Sequence, residues 1–385
     1  GAFLQGFVLW YAIEKLFMRS IGFDDASIGF MAAAYSATVL LVETPSGILA
    51  DRWSRKGVLI IASVFLMLSA IVCGLSSSTT VYIIGALIWG INYAMYTGIH
   101  DSIVYDVLQE ETGSSSKYEL YLGRVRIVES VALVGGALIG GFVGQFYGLR
   151  EAFFWSVVSA ALSIIAFAKF NEPRLHRAEV AQPLKEHIGT TFRAVARRGY
   201  VLPVILTLII VTIITETLYE FGQLWLIALA APVSIFGIAS ALLFSTYGVG
   251  SAVAGYVRLH RVAVMALALS VVFLSTAGLI LSRNILLIVI CQFLVCTGVI
   301  AISVLFTRLL HDELPSKVRA GAASAVSTMS RILLIPIFLA FGYISKEVNV
   351  FMATIMILVF MALASIFIMK SLMDKPSGGA EILLK

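Results

Sequence analysis

Charge is scarce in this sequence. Asp, Glu, Lys and Arg together make up 13% of residues, hydrophobic residues make up 60%, and the mean hydropathy is +0.98. A soluble domain carries about 25% charged residues, so a water-soluble globular fold is excluded for most of the chain. Cysteine is rarer still: Cys73, Cys291 and Cys296 all lie in apolar runs without metal-like spacing. No phosphate-binding glycine loop, metal-ligand cluster or nucleophile with a placed base is present. His100 and Asp101 are adjacent, and on a helix adjacent side chains point ~100° apart, a poor dyad. These absences argue against an enzyme, and the lack of a repeated filter segment argues against a channel. The net charge of +5 comes from cations scattered over short loops, which does not suit a nucleic-acid partner. No cleavable signal peptide is evident. The chain opens in an apolar run without Met, which predicts that a few native residues precede it.

What the sequence has in abundance is long apolar runs. About 20 apolar residues at ~1.5 Å rise cross the ~30 Å hydrocarbon core. By that rule we expect twelve spans, at 2–21, 27–50, 57–75, 79–108, 119–147, 150–169, 200–228, 233–257, 261–281, 284–310, 318–345 and 348–371. Most linkers are a few residues long. The exception runs from Lys169 to Gly199, polar and rich in Lys and Arg, and reads as a cytoplasmic connector that is either partly an amphipathic surface helix or a solvated tether. The expected division is a six-helix half over 1–170, the connector over 171–199 and a second half over 200–385. Cations crowd the loops around Arg52–Lys56, Lys169–Arg198, Arg258–Arg261 and Lys317–Arg319 and the C-terminal tail, and the alternate loops hold few. The positive-inside rule then places both termini in the cytoplasm.

One loop organises the chain. Gly47-x-Leu49-Ala50-Asp51-Arg52-x-x-Arg55-Lys56 joins the second and third spans. It resembles the signature loop between helices two and three of the major facilitator superfamily of secondary transporters, with Ser54 where that family usually has glycine. An internal repeat agrees: aligning Gly29 with Gly237 (237 − 29 = 208) also aligns Gly47 with Gly255 (255 − 47 = 208), and Leu259 then replaces Asp51. The fold expected is an all-α membrane protein of twelve transmembrane helices in two pseudo-symmetric six-helix halves, with the substrate near the midplane between them. The resemblance further implies that Gly47, Asp51, Arg52, Arg55, Lys56 and Asp106 latch an outward-open state, Asp51 facing the start of span eleven and Asp106 meeting Arg52 or Arg55. Gly135-Gly136-Ala137-Leu138-Ile139-Gly140-Gly141 in span five resembles the glycine motif of drug–proton antiporters, with Ala137 in place of its proline. The alternative is helix packing by small residues. Span four resembles bacterial facilitator exporters through Trp89-Gly90, Thr97-Gly98 and Tyr105-Asp106, but Ala86 stands where the usual arginine would be.

Charges inside spans cost several kcal/mol unless paired or hydrated, so they are the candidate functional residues. An inner set comprises Glu43, His100, Asp101, Arg124, Arg126 and Glu129. Glu43 lies eight residues above Asp51, roughly 12 Å into the membrane, at a depth similar to Asp101 and Glu129. Asp101 with Arg126 is the preferred pair. Glu43, Asp101, Arg126 and Glu129 read either as a static network or as a protonation switch. A second set, Glu14, Lys15, Glu216, Glu220 and Arg331, lies on spans one, seven and eleven, which resemble the cavity-lining helices of the family. Glu216 and Glu220 stand one turn apart on one face. With Trp10, Tyr11, Tyr219, Gln223 and Trp225 on the same spans, they suit an organic cation, the alternative for the aromatics being interface anchoring or packing, whereas Arg331 would suit an anion or neutralise Glu216.

The resulting expectation is a bacterial inner-membrane transporter that works by alternating access. It would export a small amphipathic or cationic compound in exchange for protons, as a monomer without cofactors. Its partners would be the lipid bilayer and a small-molecule substrate. The alternative is uptake of a polar or anionic metabolite. The topology predicts that single cysteines placed at Ser54 and Ser77 react with an impermeant maleimide from opposite membrane faces; labelling from one face would overturn it.

Overall fold

The computed structural model describes residues 1–112, 118–170, 201–313 and 316–373. The connector 171–199 and the tail beyond 373 lie outside the described residues. So do the side chains of Asp51, His100, Asp101 and Asp106. The described residues are helical, with no strand. Spans two to eleven are Asp25–Arg52, Arg55–Leu75, Thr79–Thr112, Tyr118–Phe146, Leu149–Ala168, Val201–Ala228, Val233–Tyr256, Val262–Leu281, Ile285–Glu313 and Ser316–Glu347. Span twelve is Val350–Ala353 with Ile355–Met373. Ten helices among the described residues are long and apolar enough to cross a membrane. The remaining two of the twelve are Thr79–Thr112 and a broken first span.

The turn after span two is shorter than the motif suggests. Helix continues through Glu43, Pro45 and Gly47 to Arg52, and only Trp53 and Ser54 turn the chain. Ser54 is the N-cap of span three, its hydroxyl accepting from Gly57 N–H at 2.9 Å. Its backbone is extended (φ −169°, ψ 126°). A serine therefore serves where the family has glycine, because no left-handed conformation is needed and a capping oxygen is gained.

Span one departs from the uninterrupted helix expected over 2–21. Ala2–Gly6 is helical, Phe7 makes an inverse γ-turn (φ −83°, ψ 70°; Val8 N–H to Gly6 C=O at 2.9 Å), Trp10–Ala12 form a 3₁₀ turn, and Glu14–Ser20 resume the helix. Interrupted backbone at membrane depth needs partners for its polar groups. Here Leu9 N–H donates to Ser156 Oγ at 2.9 Å, and Phe7 C=O accepts from Ser159 Oγ at 2.9 Å, both from span six. Span five supplies the room. A Cβ at Gly136 would stand 3.0 Å from Val8 O, one at Gly144 3.1 Å from Ile13, and one at Gly140 would collide with Leu9 O. The glycine run thus packs closely against span one.

Contacts group the chain into two compact units that cut across its sequence halves: Gly1–Val180, Phe221–Ser245 and Leu334–Val350 form one, and Ala181–Glu220, Thr246–Leu333 and Phe351–Lys385 the other. In the first, spans two, three, four and six enclose an apolar core at the Arg52 end (Ala50, Leu59, Ala62, Met95, Ile99 and Phe167). Above it runs a buried polar seam. Gln5 Nε2 donates to Ser63 Oγ (2.6 Å) and Ser163 Oγ (3.0 Å), and Asn92 Nδ2 donates to Ala62 O (2.8 Å). Such bonds hold helices together where lipid offers no hydrophobic drive. Trp10 (2% exposed, stacked on Phe153) and Trp225 (0%) are core residues rather than interface anchors.

In the second unit, spans nine and ten pack through small residues: a Cβ at Gly278 would stand 2.6 Å from Cys291 Sγ, and one at Gly298 2.5 Å from Val272. The arginines in the cation-poor loops have local uses. Arg150 donates to Gly74 O and Ser76 O at the end of span three and covers the Phe17 ring. Arg283 donates to Ile280 O and Ser282 O at the end of span nine and lies 3.6 Å over Phe351. Each thus places a cation on a helix C-terminus, where the dipole favours it. Gly140→Ala is expected to be severely destabilising, because its Cβ has no space beside Leu9 O. Thermal unfolding in detergent checks this, with Gly135→Ala, whose Cβ would meet only Phe7 at 3.7 Å, as the tolerated control.

Candidate functional site: an aromatic cluster at the break in span one

The break places Tyr11 among aromatic rings from three other spans. Its centroid lies 5.2 Å from Trp89 and 6.1 Å from Phe244, while Tyr35 stacks on Trp89 at 4.6 Å and approaches Tyr93 at 6.2 Å. All five side chains are half-buried, so ring surface remains open to a ligand. Offset and tilted rings at these separations attract one another and any aromatic guest, and their faces attract cations. Gln223 of span seven joins the cluster through backbone. Lys15 N–H donates to its Oε1 at 3.0 Å, and its Nε2 donates to Tyr11 O at 2.6 Å. Tyr35, Tyr93 and Phe244 were not singled out in the sequence; the available signal was a set of tyrosines deep in apolar runs.

Glu14, expected beside the cavity, is buried. Its carboxylate accepts from Lys15 Nζ at 2.9 Å and from the Tyr82 hydroxyl at 2.9 Å. Adjacent residues do not face one another within a helix; this pair forms because Glu14 opens the resumed helix.

The inner layer is partly seen. Tyr96 OH donates to Glu129 at 2.8 Å, and Arg126 Nη1 pairs with the other Glu129 oxygen at 3.1 Å, one turn away on span five. Glu43 is half-buried on span two. The expected partner of Arg126, Asp101, has its side chain outside the described residues. The same holds for Asp51 and Asp106 of the latch motif. Arg52 is exposed, Arg55 and Lys56 are half-buried, and a Cβ at Gly47 would meet no described residue within 4 Å.

The second unit holds the remaining candidates. On span seven, Glu216 lies within electrostatic reach of both Glu220 and Arg331. Tyr219 shares a 2.7 Å hydrogen bond with Thr246 Oγ1 and stacks on Tyr247 at 5.0 Å. The expected cavity set therefore divides: Tyr11, Glu14 and Gln223 belong to the first unit, and Glu216, Tyr219, Glu220 and Arg331 to the second. Among the described residues, no group of three His, Cys, Asp or Glu side chains could hold a metal.

The first unit is also sealed at one end. Gly29 of span two meets Gly342 of span eleven so closely that a Cβ on Gly29 would stand 2.5 Å from Phe338 O. Gly237 of span eight likewise meets Gly141 of span five. Polar bonds complete both seams. Ser345 Oγ donates to Asp25 at 2.6 Å, Asp25 also pairs with Arg19, Lys346 pairs with Asp24 at 2.9 Å, and Ser234 N–H donates to Gln145 at 3.1 Å. The two repeat-related glycines thus occupy equivalent seams. On the same two helices, a Cβ at their counterparts Gly47 and Gly255 would meet no described residue within 4 Å.

Similarity to known proteins places this architecture. The family model of the Major Facilitator Superfamily matches residues 1–336. The chain belongs to that superfamily and is a membrane transporter rather than an enzyme, with the twelve-helix fold. Multidrug resistance protein 1 of Bacillus subtilis (strain 168) is 23% identical over 172 residues, 45% of this chain and 43% of that protein. The match thus spans less than half of that relative's length. Among solved structures, a bacterial homologue of the human lysosomal transporter Spinster, inward-facing and unoccupied, superposes with a TM-score of 0.79 at 14% identity, covering 98% of this chain and 97% of its own. The nucleoside transporter NupG gives 0.77 at 15% identity, covering 97% and 98%.

The Asp24–Lys346 pair of the seal is not tuned by physiological pH. The Lys346 ammonium bonded to Asp24, helped by the Ser27 backbone N–H, lowers the Asp24 carboxyl to about 2. A lowered carboxyl contributes stability that is complete above its ordinary 3.8 and is lost as pH falls through about 2. The loss in melting temperature caused by Asp24→Asn should therefore be constant between pH 5 and 8. A loss that fades toward pH 5 would contradict this assignment.

Proposed function

We propose that this transporter exports a small amphipathic or cationic aromatic compound in exchange for protons, by alternating access. The observation that carries the reading is the half-buried aromatic cluster of Tyr11, Tyr35, Trp89, Tyr93 and Phe244 beside an interrupted span. Interrupted helices mark binding sites in transporters, and here the break presents the Tyr11 ring while its backbone packs against spans five and six. The partial match to a multidrug resistance protein supports the same substrate class. The carboxylates set within spans (Glu43, Asp101 and Glu129 on one side, Glu216 and Glu220 on the other) supply groups that could exchange protons as their partners change. In this reading the protein is a monomer of the bacterial inner membrane without cofactors, both termini are cytoplasmic, and the Asp25 end faces outward. The Gly29–Gly342 and Gly141–Gly237 seams then close the outward end.

Arg331 would be the anchor for an anion in the uptake alternative. Its electrostatic reach to Glu216 supports a counter-ion role, which suits the export reading.

Purified protein in proteoliposomes, loaded with ethidium as the probe, tests this. A pH gradient of the correct sign should drive ethidium transport, and a reversed gradient should not. Trp89→Ala and Tyr35→Ala should each weaken ethidium binding roughly two- to twelve-fold, the worth of one aromatic contact. Glu216→Gln or Glu220→Gln should reduce gradient-driven transport. Transport indifferent to the gradient, or ligand-induced stabilisation only by polar and anionic solutes, would overturn the reading in favour of uptake.

A further inference from the structure

In a continuous α-helix the N–H of residue 15 donates to the C=O of residue 11. At the break in span one these two groups are bridged instead by a single side chain from another span: Lys15 N–H donates to Gln223 Oε1 at 3.0 Å, and Gln223 Nε2 donates to Tyr11 O at 2.6 Å. A primary amide offers one donor and one acceptor on the same group, so it can replace a backbone hydrogen bond without leaving either partner unmatched. We propose that Gln223 is a positioning residue that works as a removable insert in the first span: with its amide in place the helix is broken and Tyr11 is held in the aromatic cluster, and when the amide withdraws Lys15 closes directly onto Tyr11 and the helix winds through.

The consequences follow from the geometry. Span seven carries Gln223, and its neighbours Phe221 and Trp225 pack on Phe341 of span eleven, one residue from Gly342 in the seam with Gly29. Separation of these seams draws Gln223 out of the break. Because one backbone bond takes over from two side-chain bonds, the opened state leaves neither the Lys15 N–H nor the Tyr11 C=O unpaired, a requirement in hydrocarbon. Rewinding turns residue 11 about the helix axis, where each residue subtends ~100°, so the Tyr11 ring leaves Trp89 and Phe244. Ligand held by the cluster would be released as the Asp25 end opens. The ionisable groups on the bridged segment are Tyr11, Glu14 and Lys15, the last two paired with each other.

The inference rests on the alternating-access reading, and the test separates the two. Ala33 is 4% exposed and one turn inside Gly29 on the same helix face, so Ala33→Cys reports opening of the Asp25 end to an impermeant maleimide added to intact cells. The native cysteines are buried. In the Gln223 background labelling should be slow. Gln223→Leu removes both bonds and should accelerate it about 5- to 150-fold. Gln223→Glu keeps the acceptor for Lys15 but donates to Tyr11 only when protonated. Its labelling, normalised to the Gln223 background at each pH, should be fast at pH 8 and slow toward that of Gln223 at pH 5.5. Gly342→Leu, which wedges the seam with Gly29, is the positive control. If it labels fast while Gln223→Leu labels like the parent, or if Gln223→Glu shows no pH dependence, the insert is refuted. If Gly342→Leu itself labels like the parent, the alternating-access reading fails, and the insert with it.

Discussion

A backbone in hydrocarbon must find a partner for every N–H and C=O, and the first unit is arranged around one place where the helix does not provide them. Between Gly6 and Glu14 the chain leaves the α-helix. Its loose groups are taken by Ser156, Ser159 and Gln223. Span five is stripped to glycine at Gly136 and Gly140 so that the interrupted backbone can lie against it. Spans five, six and seven are therefore positioned by the needs of span one. The aromatic cluster is a product of the same interruption, since it is the 3₁₀ turn over Trp10–Ala12 that brings Tyr11 to Trp89 and Phe244.

The two glycine seams extend this constraint. Gly29 with Gly342 and Gly141 with Gly237 bring backbones together where any side chain would intervene. Close packing of small residues is the main attraction available between helices in lipid. It also carries few buried charges: Asp24 with Lys346 stands at the rim, and Asp25, buried in the seam, has Arg19 and Ser345 as partners. A seal of this kind closes through shape and opens without stranding an ion in the bilayer.

Much of this was legible in the sequence, and the rest was not for identifiable reasons. Span positions followed from hydropathy to within a few residues, because lipid imposes both length and composition. The 208-residue repeat paired Gly29 with Gly237, and the structure puts both in equivalent seams. The break in span one gave no warning, since neither proline nor a polar run marks it; its cause lies in serines and glycines more than 120 residues away. Glu14 read as a cavity acid because a lone sequence cannot show that Lys15 and Tyr82 cover it. Tyr35, Tyr93 and Phe244 escaped notice because an isolated aromatic in an apolar run looks like any other core residue.

The most direct measurement is a pair of spin-label distances in the purified protein. One pair would be placed at Ser27 and Val348, beside the closed seam, and the other at Ser54 and His260, in the repeat-related loops of the opposite end. Alternating access predicts opposed changes when ethidium and pH are varied, the Ser27–Val348 distance lengthening in a second population as the Ser54–His260 distance shortens. Two fixed, single distances under every condition would contradict it.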